Sequence, residues 1–143
     1  MLSNTCKYAI RATVYLSVYS TSDKRIGIKE ISSKLDMPSP FLGKILQSLA
    51  RNKILVSTKG PNGGFSLARS AEEIPLMDII EIMDGPEIFD TCLVRTSKCS
   101  DESPCGIHDS ISSVRKELKS FFLNQTIHDL STEFRRDSGR IRI

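Results

Sequence analysis

Three of the chain's four cysteines and one of its two histidines fall within the eighteen residues from Thr91 to His108. The spacing is Cys92-x6-Cys99-x5-Cys105-x2-His108, so thiols recur every six or seven residues along one stretch and an imidazole follows three residues after the last. Such a loop can turn all four donors toward one point. Structural zinc is one reading, although its ligands usually come in close C-x2–4-C knuckles that are missing here. An iron–sulfur cluster is a second, because it is larger than one ion and tolerates wide spacing and a His ligand. A metal-free thiol switch is the third. Asp101, Glu102 and Asp109 make the stretch acidic, which does little to stabilise free thiolates and favours thiols held by metal. No second histidine stands nearby to build an open catalytic zinc site, and His128 is isolated on a later segment; nothing resembles a nucleophile–base pair. The expectation is a protein that is not an enzyme and has no catalytic residue.

The elements that must position this loop divide by charge. Residues 1–69 hold eleven Lys and Arg against three acids, net plus eight; the remaining residues hold nine against fourteen, net minus five. A basic half joined to an acidic half points to a polyanion-binding module linked to something else. No run of eighteen apolar residues occurs, and MLSNTCKYAIRA is not a signal-peptide pattern, so a cytoplasmic protein with no membrane partner is expected. In that compartment clustered cysteines suggest metal or redox chemistry rather than disulfides.

Helical spacing predicts a first helix over 5–18, capped at Ser3 or Thr5, with Cys6 a small buried hydrophobe. A short second helix spans Ile28 to Leu35. After the break DMPSP, Ser39 is the expected N-cap and Pro40 the first residue of a third helix, whose Leu42, Ile45, Leu46 and Leu49 form the buried stripe. Its other face offers Gly43, Lys44, Gln47, Ser48 and Arg51, the arrangement of a recognition helix. ILVST, then KGPNGG, then FSLAR reads as a β-hairpin with a Gly/Pro/Asn tip, which makes the whole a winged helix-turn-helix. The tip lets backbone approach a phosphate closely, and Lys59 supplies charge. A nucleotide-cradling loop is disfavoured because the glycines lie between strands rather than opening a helix and no Gly-Lys-Ser/Thr follows.

A fourth helix is predicted over 75–83, stopped by Gly85-Pro86, and residues 87–106 form a loop. From 107 to 123 a long helix carries Ile111, Val114, Leu118 and Phe121, widened by Phe122, a seam suited to dimerisation. Thr126 and Asp129 resemble a capping box opening a last short helix to about residue 136; the tail DSGRIRI reads as loose.

These pieces together resemble, nearly end to end, the Rrf-two family of bacterial winged-helix regulators. The matching phrases are KYAIRATVYLS, FLGKILQSLARNKILVS, KGPNGGFSLARS, IPLMDIIEIMDG and the three cysteines before the long helix, with GPNGGFSLAR the most specific. The resemblance implies a homodimer paired through the long helix, with the cysteine loop near the interface and the partner's first helix. In its cluster-bearing members the loop cysteines ligate the cluster, joined in the assembly-regulator branch by a His three residues after the last; Cys92, Cys99, Cys105 and His108 match. The cysteine-metabolism branch lacks this set. Three departures stand out. The first gap is x6 where cluster-bearing members usually show x5. Lys7 stands where some nitric-oxide sensors take an Asp ligand. Gly43 stands where the assembly regulator has an acidic residue governing site choice.

The resulting expectation is a mainly α fold with a small β-hairpin: a winged helix-turn-helix DNA-binding domain (1–86), a cysteine-bearing sensor loop (87–106), and a dimerisation helix with a short C-terminal helix (107–143). The expected function is homodimeric, sequence-specific regulation of transcription, modulated by an iron–sulfur cluster, [2Fe-2S] before [4Fe-4S]. The expected partners are double-stranded DNA, a second copy and RNA polymerase. The DNA surface comprises Ser39, Phe41, Gly43, Lys44, Gln47, Ser48, Lys59, Gly60, Pro61, Asn62 and Gly63. The alternatives are a zinc-binding or metal-free thiol- or metabolite-responsive repressor of the same fold, or a scaffold that binds protein instead of DNA.

Overall fold

The computed structural model describes residues 1–136, so the expectation for the tail DSGRIRI lies outside the described residues. Among the described residues there are six α-helices and one two-stranded antiparallel sheet, and no helix is long and apolar enough to cross a membrane. The helices are α1 (Asn4–Tyr19), α2 (Ile28–Leu35), α3 (Ser39–Arg51), α4 (Leu76–Asp84), α5 (His108–Asn124) and α6 (Ile127–Arg136); the strands are β1 (Leu55–Thr58) and β2 (Gly64–Leu67).

The small and branched residues of α1 make it the centre of the core. Cys6, Ala9, Ala12, Val14 and Leu16 are fully buried, and α3, α4 and α6 pack around them. Alanine at two of these positions lets neighbouring helices come close, while each fully buried Leu or Ile contributes about 1.5–3 kcal/mol. Ser3 caps α1 by accepting the Cys6 N–H at 3.0 Å, and its own N–H donates to Asp84 at 2.9 Å, tying the start of α1 to the end of α4. Cys6 lies beside that carboxylate, and burial first, then Asp84, pushes its thiol up to about 12.

In α3 the stripe Leu42, Ile45, Leu46 and Leu49 is buried as its spacing requires. The cap is displaced by one residue from expectation. Pro38 occupies the N-cap position, its carbonyl accepting Leu42 N–H at 3.0 Å, and Ser39 is already helical with no side-chain cap bond. Similarly α4 begins at Leu76 after Pro75 and runs to Asp84, where Gly85 takes φ 86° and Pro86–Phe89 form a 3-10 turn that overlaps the start of the predicted loop 87–106.

The hairpin pairs Leu55 with Leu67 and Ser57 with Phe65. A third segment joins it. Ile26 and Phe65 exchange both backbone hydrogen bonds, at 3.0 and 2.9 Å, so the chain leading into α2 runs along the edge of β2.

Beyond the hairpin, Phe122, Ile127 and Phe134 are buried in the same core as α1 and α3. Thr126 and Asp129 form the expected reciprocal cap, and bonds from Ile127 N to Ile74 O and from Leu76 N to Gln125 O stitch the α5–α6 turn to the start of α4.

Candidate functional site

Cys92 and Cys99 flank a short hairpin. Thr91 pairs with Lys98, Cys92 N–H donates to Ser97 O at 3.1 Å, and Cys99 N–H donates to Asp90 O at 2.8 Å. Alternation along such a ladder places residues 90, 92, 97 and 99 on one face, so the two cysteines share a side although six residues separate them. Residues 93–98 are all exposed.

The four donors stand as two pairs. Cys99 Sγ lies 3.2 Å from Nδ1 of His108, and Nε2 of the same ring lies 2.8 Å from Oδ1 of Asp101. A carboxylate only accepts, so in the neutral ring Nε2 carries the proton and Nδ1 turns its lone pair toward Cys99. His108 is the first residue of α5 and is buried. Cys92 forms the other pair. Its thiol pKa is lowered, first by the backbone N–H of Val94, then by that of Arg95 (3.4 Å), with further help from the Cys105 thiol and the charge of Arg115. Backbone amides are thus the first cause of the lowered Cys92 thiol pKa.

A cavity of about 290 Å³ opens beside Cys99 and His108, floored by Phe89 and walled by Arg115, Lys116 and Lys119 of α5. Asp90 and Asp101 line the same cavity, so cations and carboxylates face each other across it. Arg115 also donates to Thr91 O, fastening the hairpin to α5. Among the described residues no three His, Cys, Asp or Glu side chains converge closely enough to hold a single metal ion. Lys7 is exposed on α1.

On the opposite half, Lys44 and Gln47 project from α3, and Lys59, Gly60, Pro61 and Asn62 project from the wing. Phe41 is partly exposed and meets Tyr8 of α1 edge-on, ring centres 5.8 Å apart. Ser39, Ser48 and Gly63 are half-buried. Gly43 is half-buried, and a Cβ there would lie 3.2 Å from Cδ1 of Ile28, so it also sits where α3 packs on α2.

On α5, Val114 and Phe121 are about half exposed, whereas Phe122, expected on the same seam, is turned inward against Phe89 with ring centres 5.8 Å apart. Ile111 and Leu118 are half-buried. The residues left open at heptad spacing are Ile107, Val114 and Phe121.

Residues 2–133 match the Rrf2 family, described as iron-dependent transcriptional regulators. The chain belongs to the Rrf2 family. It is similar to an HTH-type transcriptional regulator of Aquifex aeolicus, 34% identical over 132 residues that cover 91% of this chain and 90% of the relative. It is also similar to the HTH-type transcriptional regulator IscR of Cereibacter sphaeroides, 32% identical over 84 residues, 58% of this chain and 54% of that one. Among solved structures, CymR, the global cysteine regulator of B. subtilis, superposes with a TM-score of 0.77 at 20% identity, covering 93% of this chain and 97% of that chain. T. potens IscR superposes with a TM-score of 0.69 at 19% identity, covering 100% and 91%. These likenesses share the Rrf2 winged-helix fold. The chain is thus a DNA-binding transcriptional regulator and not an enzyme.

Proposed function

We propose that this Rrf2 regulator works as a homodimer whose grip on DNA is set by an iron–sulfur cluster held by Cys92, Cys99, Cys105 and His108. The observation that carries the reading is the arrangement of donors in two pairs, Cys92 with Cys105 and Cys99 with His108. A single tetrahedral ion needs four donors on one centre, whereas a two-iron cluster takes two donors at each iron. The Nε2–Asp101 contact adds what a ligating histidine usually has, an acceptor that fixes its tautomer and leaves the other nitrogen free. When bound, such a group supplies one-electron redox chemistry at the base of α5.

The chain's own residues then carry the signal. Cys105 lies just before α5 and His108 begins it, so the order of the loop fixes the start of the helix whose Ile107, Val114 and Phe121 form the pairing seam. A shift there re-spaces the two recognition helices, and the loop must favour one spacing over the other for DNA binding to change. Gln47 and Lys44 read base edges, while Lys59 and the wing tip touch phosphate.

A second reading rests on Cys92 and Cys105. A thiol with lowered pKa beside a second thiol can close to a disulfide when a peroxide-class oxidant accepts two electrons and two protons, which makes a metal-free switch.

The deciding experiment is an anaerobic preparation examined by visible absorption and by iron and sulfide analysis, beside Cys99→Ala. Charge-transfer bands and sulfide lost in the variant support the cluster. Zinc at full occupancy without sulfide sinks it. In parallel, Lys59→Ala weakens binding to all duplexes, whereas Gln47→Ala changes preference among them; if both bind every probe like the parent, the DNA surface is wrongly placed.

A further inference from the structure

The wing of this protein is not a free-standing hairpin. Its second strand is pressed against the segment that leads into α2: a Cβ on Gly64, whose φ is 141°, would lie 2.5 Å from the Ile26 carbonyl oxygen and 3.0 Å from Gly27 N. That contact, with the paired bonds between Ile26 and Phe65, fixes Lys24 and Arg25 directly beside the wing. The turn before them is held as well, Lys24 N–H donating to Thr21 Oγ1 and Thr21 N–H to Lys24 O, both at 2.9 Å.

Between this segment and the wing tip lies a groove of about 450 Å³, lined by Lys24, Arg25, Asn62 and Gly63 among others. Its charged lining is two cations and one acid, Asp23, a net of plus one. Arg25 is half-buried, and its Nε, like that of Arg11, is buried without a hydrogen-bond partner. A guanidinium lining an open groove is suited to an oxyanion, which it meets through its planar fork of N–H donors. Asn62 adds a neutral donor from the exposed tip.

We propose that this groove is a phosphodiester site, in which Lys24 and Arg25 grip the DNA backbone next to the wing. The proposal rests on the DNA-binding reading and extends it: the wing tip would be clasped between two contacts, Lys59 on one side and the Lys24–Arg25 strap on the other. Phosphate is favoured over an acidic protein segment because the groove is shared with the wing, whose Pro61, Asn62 and Gly63 form its other wall. Backbone contacts of this kind set register and affinity and carry no sequence information.

The test is fluorescence anisotropy of a random-sequence duplex of about 40 base pairs, titrated at several salt concentrations so that the slope of affinity against salt counts phosphate contacts. Arg25→Ala and Lys24→Ala are each expected to weaken binding by about three- to tenfold and to reduce the slope by about one contact, irrespective of duplex sequence. Asp23→Asn is expected to tighten it, an effect that a damaged fold would not produce. If Arg25→Ala lowers the melting midpoint, the exposed positions Lys24 and Asp23 decide. If the parent protein shows no salt-dependent affinity for any duplex, the DNA reading falls and this site with it. If the parent binds and Lys59→Ala weakens it, while all three groove variants keep the parent's affinity and slope, this site alone is overturned. A groove whose variants alter binding of polyglutamate but not of duplex would also overturn it.

Discussion

Sγ of Cys99 lies 3.2 Å from Nδ1 of His108, although eight residues separate them and neither is part of a shared regular element. The contact exists because the hairpin that starts at Thr91 delivers Cys99 to the first turn of α5. It makes the imidazole the distinctive member of the donor set.

Replacing that ring with a thiol is therefore the informative change. Imidazole ligation raises a cluster's potential relative to thiolate, so His108→Cys is expected to lower the midpoint while keeping iron and sulfide. A dye-mediated anaerobic titration measures it. Asp101→Ala, which frees the ring's other nitrogen, is expected to move the potential in part and to loosen retention of iron.

Phe121 and Phe122 are neighbours with opposite fates. Phe121→Glu is expected to leave the melting midpoint near the parent's and to shift the protein from dimer to monomer in light scattering at micromolar concentration. Phe122→Ala removes a buried ring packed on Phe89 and should cost about 3 kcal/mol of stability in denaturant unfolding.

Gly64 should tolerate no side chain. With φ at 141° and a carbonyl oxygen 2.5 Å from where Cβ would sit, Gly64→Ala is expected to lose about 2 kcal/mol or more, and to weaken DNA binding by displacing the wing. Gly60, whose φ is 106° but which has open space around it, should lose less on the same change.

Acid stability should depend on Asp129. Its carboxyl is held below the usual range, first by the backbone N–H of Thr126 and then by the Thr126 hydroxyl. A depressed folded pKa gives stability that is present above the unfolded value near 4 and is lost as pH falls through the folded one. Asp129→Asn should flatten the dependence of unfolding on pH below about 4, with little change in its slope near neutrality.

Much of this was readable in the chain because the relevant signals are local. Leu42, Ile45, Leu46 and Leu49 announce a buried stripe by spacing alone, and the Gly-Pro-Asn-Gly-Gly tip announces a turn by backbone chemistry. What escaped depends on distant partners. Nothing about Ile26 marks it as the residue that pairs with Phe65, thirty-nine positions on, so spacing alone does not place Lys24 and Arg25 beside the wing. Phe121 and Phe122 both fit a seam by spacing, and only Phe89, delivered by a 3-10 turn after α4, decides which one turns inward. The contact between Cys99 and His108 was equally hidden, since four donors on an aperiodic loop admit several partitions and spacing ranks none of them. The cap of α3 moved because Pro38 and Pro40 both suit a helix start, and sequence does not rank them.

The exposed tip of that cysteine hairpin also has a practical side. From 93 to 98 no side chain is buried, while both ends are pinned by Asp90, Cys92, Ser97 and Cys99. Side-chain composition there is open to drift without cost to the core, and a fluorophore attached at position 96 would sit on the cysteine hairpin without displacing a donor, making an optical reporter of the loop.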